Sequence, residues 1–111
     1  MPKTSPATAA RLLKAETLRN LVEDVGYYAW RANRSDARLA CGQLAVLENL
    51  AANLGFSTST GVLRDAKRRL LEASKRNSEA KPGKVIAEVR TDLETVIKVL
   101  NHTIRKYRTQ G

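Results

Sequence analysis

Residues 85–107 read VIAEVRTDLETVIKVLNHTIRKY, and the period of this stretch decides the fold. Val85, Ile86, Val89, Leu93, Val96, Ile97, Leu100, Ile104 and Tyr107 recur at three- and four-residue steps and fall within about a third of a helical wheel. The period predicts an amphipathic helix about 35 Å long at 1.5 Å per residue. A stripe sustained over more than six turns reads as core or as the seam of a dimer. A globule of this size has a radius of gyration of about 13 Å. Part of this helix, or of the N-terminal one, is therefore expected to project or to pair with another subunit.

Working back from that stretch, Lys81-Pro82-Gly83-Lys84 breaks the chain, and three more segments of helical period precede it without convincing two-residue alternation. The first starts at Ser5-Pro6, a cap followed by proline at the first helical position, and is expected to run to about Ala32. Its inner stripe is Leu18, Leu21, Val22, Val25, Tyr28, Ala29 and Ala32, with Gly26 marking a close crossing or a bend. The second starts after Asn33-Arg34 with Ser35 as cap and stops at Gly55. Leu39, Leu44, Val46, Leu47, Leu50 and Leu54 give it one apolar face, and Cys41, Ala45 and Ala52 a second of small residues, so it should pack on two sides. The third is expected from Thr60 to Ser78, after the linker Phe56-Ser57-Thr58-Ser59-Thr60. The expected architecture is an all-α, four-helix bundle-like single domain over residues 1–111, with a long C-terminal helix and flexible ends at 1–5 and 108–111.

The chain carries 20 Lys and Arg against 11 Asp and Glu, a formal net charge of +9. Residues 35–57 are nearly neutral, as expected of a central element wrapped by charged ones, while residues 58–81 hold seven basic and three acidic side chains. Such a balance favours an anionic partner. In the third helix, Val62, Leu63, Ala66, Leu70 and Ala73 take one side, and Arg64, Arg68 and Lys75 lie directly opposite. Lys67 and Arg76 flank that basic stripe, and Ser59 and Thr60 with the helix N-terminal amides would form an anion site. Asp65, Glu72 and Glu79 on its shoulders offer intrahelical partners to the same cations.

Leu50-Ala51-Ala52-Asn53-Leu54-Gly55-Phe56-Ser57-Thr58-Ser59-Thr60 resembles the first half of a helix-turn-helix: Ala51 is the small residue, Gly55 the turn, and Ser57 to Thr60 the cap of the second helix. The second half departs from the pattern, since its core positions would fall on Gly61 and Arg64; a longer turn would bring in Val62 and Ala66. This corner implies a DNA ligand before an RNA one. The expected function is a non-enzymatic nucleic-acid-binding protein.

The alternative is a helical interaction or assembly module, a homodimer or an adaptor, using the fourth-helix stripe or the edge formed by Tyr27, Trp30 and Arg31. Trp30 can equally pack beneath Asn33-Arg34 as a core element. The C-terminal Arg105-Lys106-Tyr107-Arg108 reads as a solvated helix end. Catalysis finds little to work with. His102 is the single histidine and falls on the polar side of the fourth helix, no Cys/His spacing suits a metal, and no glycine-rich phosphate loop appears. No cofactor and no small-molecule substrate are expected. Cys41 sits among small residues as a buried hydrophobe. With one cysteine, no apolar leader after Met1 and no membrane-length apolar run, the expected compartment is the cytoplasm, away from the membrane.

Overall fold

The computed structural model describes residues 5–110, which form four α-helices: α1 (Pro6–Asp24), α2 (Arg34–Asn53), α3 (Ser57–Ser74) and α4 (Pro82–Gln110). They run up, down, up and down. Asn101 accepts a hydrogen bond from Arg19 at 3.1 Å and Arg108 pairs with Glu16 at 3.5 Å, which sets α4 antiparallel to α1. The Cys41 thiol lies 3.6 Å from the Lys67 carbonyl, ten residues into α3, so α2 and α3 remain side by side far from their shared corner. Because all four axes are aligned, the molecule is a rod of 59 × 21 × 17 Å with a radius of gyration of 15.7 Å. The 29 residues of α4 extend about 43 Å, and the bundle accommodates them lengthwise. Among the described residues no helix is long and apolar enough to cross a membrane.

The α4 stripe is core. Val85, Ile86, Val89, Leu93, Val96, Leu100 and Ile104 are buried against Leu18 and Val22 of α1, Leu44 and Leu47 of α2, and Leu63, Ala66 and Leu70 of α3, all within one cluster. Most of the stripe is therefore spent inside one chain, with Ile97 and Tyr107 partly buried at its margin. Ser5 caps α1 by accepting the Thr8 N–H at 3.1 Å, and residues 108–110 continue α4. The other end residues, 1–4 and 111, lie outside the described residues.

Four helix limits differ from those expected. The first helix stops at Asp24, not Ala32, because Gly26 takes the left-handed conformation (φ 67°), which an L side chain resists. The chain beyond it forms a single 3-10 turn at Tyr27–Ala29. Its carbonyls are collected by α4: the Arg90 guanidinium donates to the Tyr27 carbonyl at 2.9 Å and to that of Trp30. Tyr27 and Trp30 turn inward and are buried, while Tyr28 and Ala29, assigned to the inner stripe, are exposed. The cap of α2 is Asn33 and not Ser35; its side chain accepts the Asp36 N–H at 2.7 Å, and Asp36 accepts the Arg31 N–H at 2.5 Å. α3 begins at Ser57 with no linker and ends at Ser74, four residues short of Ser78.

The corner between α2 and α3 turns at Gly55 (φ 83°) through a Schellman pair: Phe56 N–H to the Ala51 carbonyl at 2.9 Å and Gly55 N–H to Ala52 at 3.1 Å. Arg11 of α1 holds it from outside, donating to the Leu54 carbonyl at 3.1 Å and stacking 4.0 Å over the Phe56 ring. The apolar anchors of α3 are Leu63, Ala66, Leu70 and Ala73, so Gly61 and Arg64 face outward and no longer stand at core positions.

Candidate nucleic-acid interface

The basic face begins with helix geometry. Leu63, Ala66, Leu70 and Ala73 turn one side of α3 into the bundle, and the 100° step then presents Gly61, Arg64 and Arg68 on the opposite side. Arg68 is exposed and has no carboxylate partner among the described residues. Arg64 and Lys67 are engaged from α2. Glu48, its side chain only 11% exposed, accepts Arg64 Nε at 3.0 Å and approaches Lys67 Nζ at 2.5 Å. The hydrogen bonds of Lys67 and Arg64 hold the Glu48 carboxyl below the usual carboxylate range, overcoming its partial burial. Two cations share one anion here, so the site keeps a positive surplus while its geometry is fixed.

A depressed carboxyl contributes stability above its unfolded pKa and loses it as pH falls through the folded value. Glu48→Gln is accordingly expected to cost about 1 kcal/mol near neutrality, a figure kept small by the exposure of Arg64. The gap between variant and wild type should close as pH drops below about 4. Urea unfolding at several pH values checks this; a gap that stays constant into acid would remove the ion pairs as its cause.

Ser59 and Thr60 are corrections. Both are buried, and the Thr60 hydroxyl donates to the Phe56 carbonyl at 2.7 Å, so neither presents a free hydroxyl donor at the surface. Their hydroxyls fall in the first turn of α3 because the helix starts at Ser57 rather than Thr60. Lys75 and Arg76 lie just past the end of α3 and are exposed, Lys75 pairing with Glu72 at 3.1 Å. Asp65 is not a competitor for the stripe: it pairs with Arg69 at 3.1 Å. Arg69 itself is a brace between α3 and α4, bound also to Glu88 at 3.2 Å and to Asp92. Burial works against its charge, but these carboxylates, Asp92 foremost, raise its pKa on balance.

Two arginines not expected beside the α3 stripe join the face, Arg38 and Arg34, the latter read from sequence only as a neighbour of the aromatic edge. The Cys41–Lys67 contact puts residue 41 level with residue 67 across the antiparallel pair, so Arg38 lies near the level of Leu70 and Arg34 near that of Ser74. Both are exposed and free of carboxylates among the described residues. Their i, i+4 spacing on α2 was a usable signal, but the helix they stand beside is set by tertiary packing. At the corner end of the same face, Ala52, Gly55, Ser57, Thr60 and Gly61 line a shallow depression against Arg64.

The aromatic edge does not survive as an interface. Tyr27 and Trp30 are 4% and 5% exposed, and the Trp30 indole donates to Gln43 at 3.0 Å. Arg31 remains at the surface. Tyr28, beside Tyr27 and donating to Glu94 at 2.9 Å, has its phenol pKa pushed up by those hydrogen bonds. Cys41 is half-buried and burial raises its thiol pKa, the opposite of what a nucleophile requires. His102 is exposed on α4. No protein-family model, no curated protein and no solved structure matches this chain.

Proposed function

We propose that this chain is a non-enzymatic protein that binds nucleic acid, duplex DNA before RNA, by laying the α2–α3 face along phosphates. The observation that carries the reading is Arg68 and Arg38, exposed and without carboxylate partners among the described residues, beside Arg64 on adjoining antiparallel helices. Lys67, Lys75, Arg76 and Arg34 extend the same field. Arginines fixed on rigid helices present donors to phosphate at low entropic cost. A duplex suits this face better than a single strand, because Tyr27, Trp30 and Phe56 are buried and leave no aromatic platform there for unstacked bases. Phosphate contacts position a protein without reading sequence, and the proposed binding is of that kind. A cytoplasmic location goes with this reading, since the lone cysteine forms no disulfide.

The experiment is fluorescence anisotropy with duplex DNA, duplex RNA and single strands across a salt series. If Arg38, Arg64, Arg68, Lys75 and Arg76 each neutralise a phosphate, log K should fall against log salt with a slope of about −4.5 for duplex DNA. Absence of binding at low salt would reduce the charge to a solubility feature. Tighter binding of single strands would move the site to another face.

A further inference from the structure

We infer that the α1–α2 side of the bundle is a self-association surface, on which a second copy of this chain packs with α2 antiparallel to α2. The inference does not depend on nucleic-acid binding. It starts from a packing expectation that holds only in part: the Leu/Val face of α2 is wider than what its neighbours cover. Toward α3 it buries Leu44, Ala51 and the Glu48 carboxylate, whereas Leu39 and Val46 are 56% and 68% exposed. α1 lies beside α2 here without closing over it. Leu21, Val25, Val46, Leu47 and Leu50 line an open groove with Asp24 and Gln43.

Three features of this face point to a second copy. The first is register. Leu39, Gln43, Val46 and Leu50 are spaced four, three and four, the step of helices that pack lengthwise, and the spacing reads the same in both directions. An antiparallel copy therefore matches itself: Leu39 of one meets Leu50 of the other, and Gln43 meets Val46, as a two-fold axis requires. Gln43 enters such a seam with its carbonyl oxygen already accepting the Trp30 indole N–H, leaving only its amide N–H donors to be satisfied there.

The second is charge. Two copies each carrying +9 repel, and can meet only where cations are absent. From Leu39 to Asn53 the single charged residue is Glu48, which is turned to the α3 cations. The third is Gly42, in the middle of α2 with nothing within 4 Å of where a Cβ would stand. An interior glycine weakens a helix relative to alanine, and within one chain no contact offsets that loss. Beside the Leu39–Val46 stripe it lets a partner helix approach closely. Around α2, Arg38 lies roughly 100° from Leu39. A two-fold normal to the paired helices would then leave both basic faces on the same side of the dimer.

The stripe covers three helical turns, less than a permanent dimer uses, so the association should be reversible. The test is sedimentation equilibrium on nuclease-treated protein over a wide concentration range at physiological salt, which removes bridging nucleic acid as a cause of association. Wild type should move from 12.3 kDa toward twice that mass as concentration rises. Val46→Asp should weaken the dimer by at least about tenfold with its melting curve in dilute solution unchanged, since Val46 touches little within one chain. Gly42→Ala should raise the melting temperature of the dilute monomer and yet weaken the dimer, a pairing of effects that a merely local role would not produce. Wild type that stays at 12.3 kDa throughout overturns the inference and leaves the stripe to another protein's helix. Equal dimerisation of Val46→Asp overturns it too, by placing the contact elsewhere.

Discussion

Replacing Arg38 and Arg68 together with glutamate is expected to lower duplex DNA affinity by roughly 100-fold while leaving the fold intact. Each arginine in a charge-assisted contact with phosphate contributes about 1.5 kcal/mol, and 1.4 kcal/mol is tenfold in affinity. Neither residue has an ion pair to lose among the described residues, so the double variant should unfold at the wild-type temperature. Arg64 and Arg68 are the pair the sequence would select, and the structure makes Arg64 the poorer probe. Glutamate at 64 would stand against Glu48, whose side chain is largely covered, and would unsettle the α2–α3 contact along with any phosphate site. Anisotropy against salt gives the second readout: the slope should shrink by about two with both contacts gone. Unchanged affinity in the Arg38/Arg68 variant would exclude the α2–α3 face.

Leu93→Ala should have the largest effect on stability, about 3 kcal/mol, or a fall of some 10–15 °C in melting temperature for a chain of this length. Its neighbours on α4 show why. Asp92 reaches Arg69 on α3 and Glu94 reaches Tyr28 beyond α1, so the side chain between them is aimed into the junction of three helices and is fully buried. Truncation there leaves a cavity that helices braced by Arg69 and Arg90 cannot collapse to fill. Chemical denaturation checks the magnitude. A loss under about 1 kcal/mol would mean that α4 is not packed as described. A melt of Val46→Asp taken beside it calibrates the contrast, since that site is apolar but exposed.

Much of the architecture was legible because α3 and α4 each bury one contiguous stripe, and a stripe of that kind is a one-dimensional pattern. The α2 pattern was read as a Leu/Val face and a small-residue face, both packed, because hydrophobicity alone does not say whether a neighbour arrives; Ala52 of the small face is exposed. Leu39 and Val46 of the Leu/Val face stay more than half exposed. The basic face was half legible: Arg64, Lys67, Arg68, Lys75 and Arg76 follow from the wheel, but Ser59 and Thr60 were misplaced by a three-residue error in the start of α3. Arg34 and Arg38 were missed for this face because they belong to another helix. Asp65 was weighed as a competitor for cations that it never meets.

By itself the sequence determined the helical class, the number of helices, the turn at Gly55 and the inward face of α4, since these rest on local periodicity, on backbone sterics and on the absence of a side chain at glycine. The tertiary structure decided the path of the chain after Gly26, because Arg90, some sixty residues away, supplies the donors that the carbonyls of Tyr27 and Trp30 require. It also decided which cations are free. Whether an arginine meets a carboxylate depends on what the neighbouring helix presents at the same level, as Glu48 does for Arg64 and Lys67 and nothing described does for Arg68. Charge is written along the chain, but its partners are set by how helices distant in sequence are laid side by side.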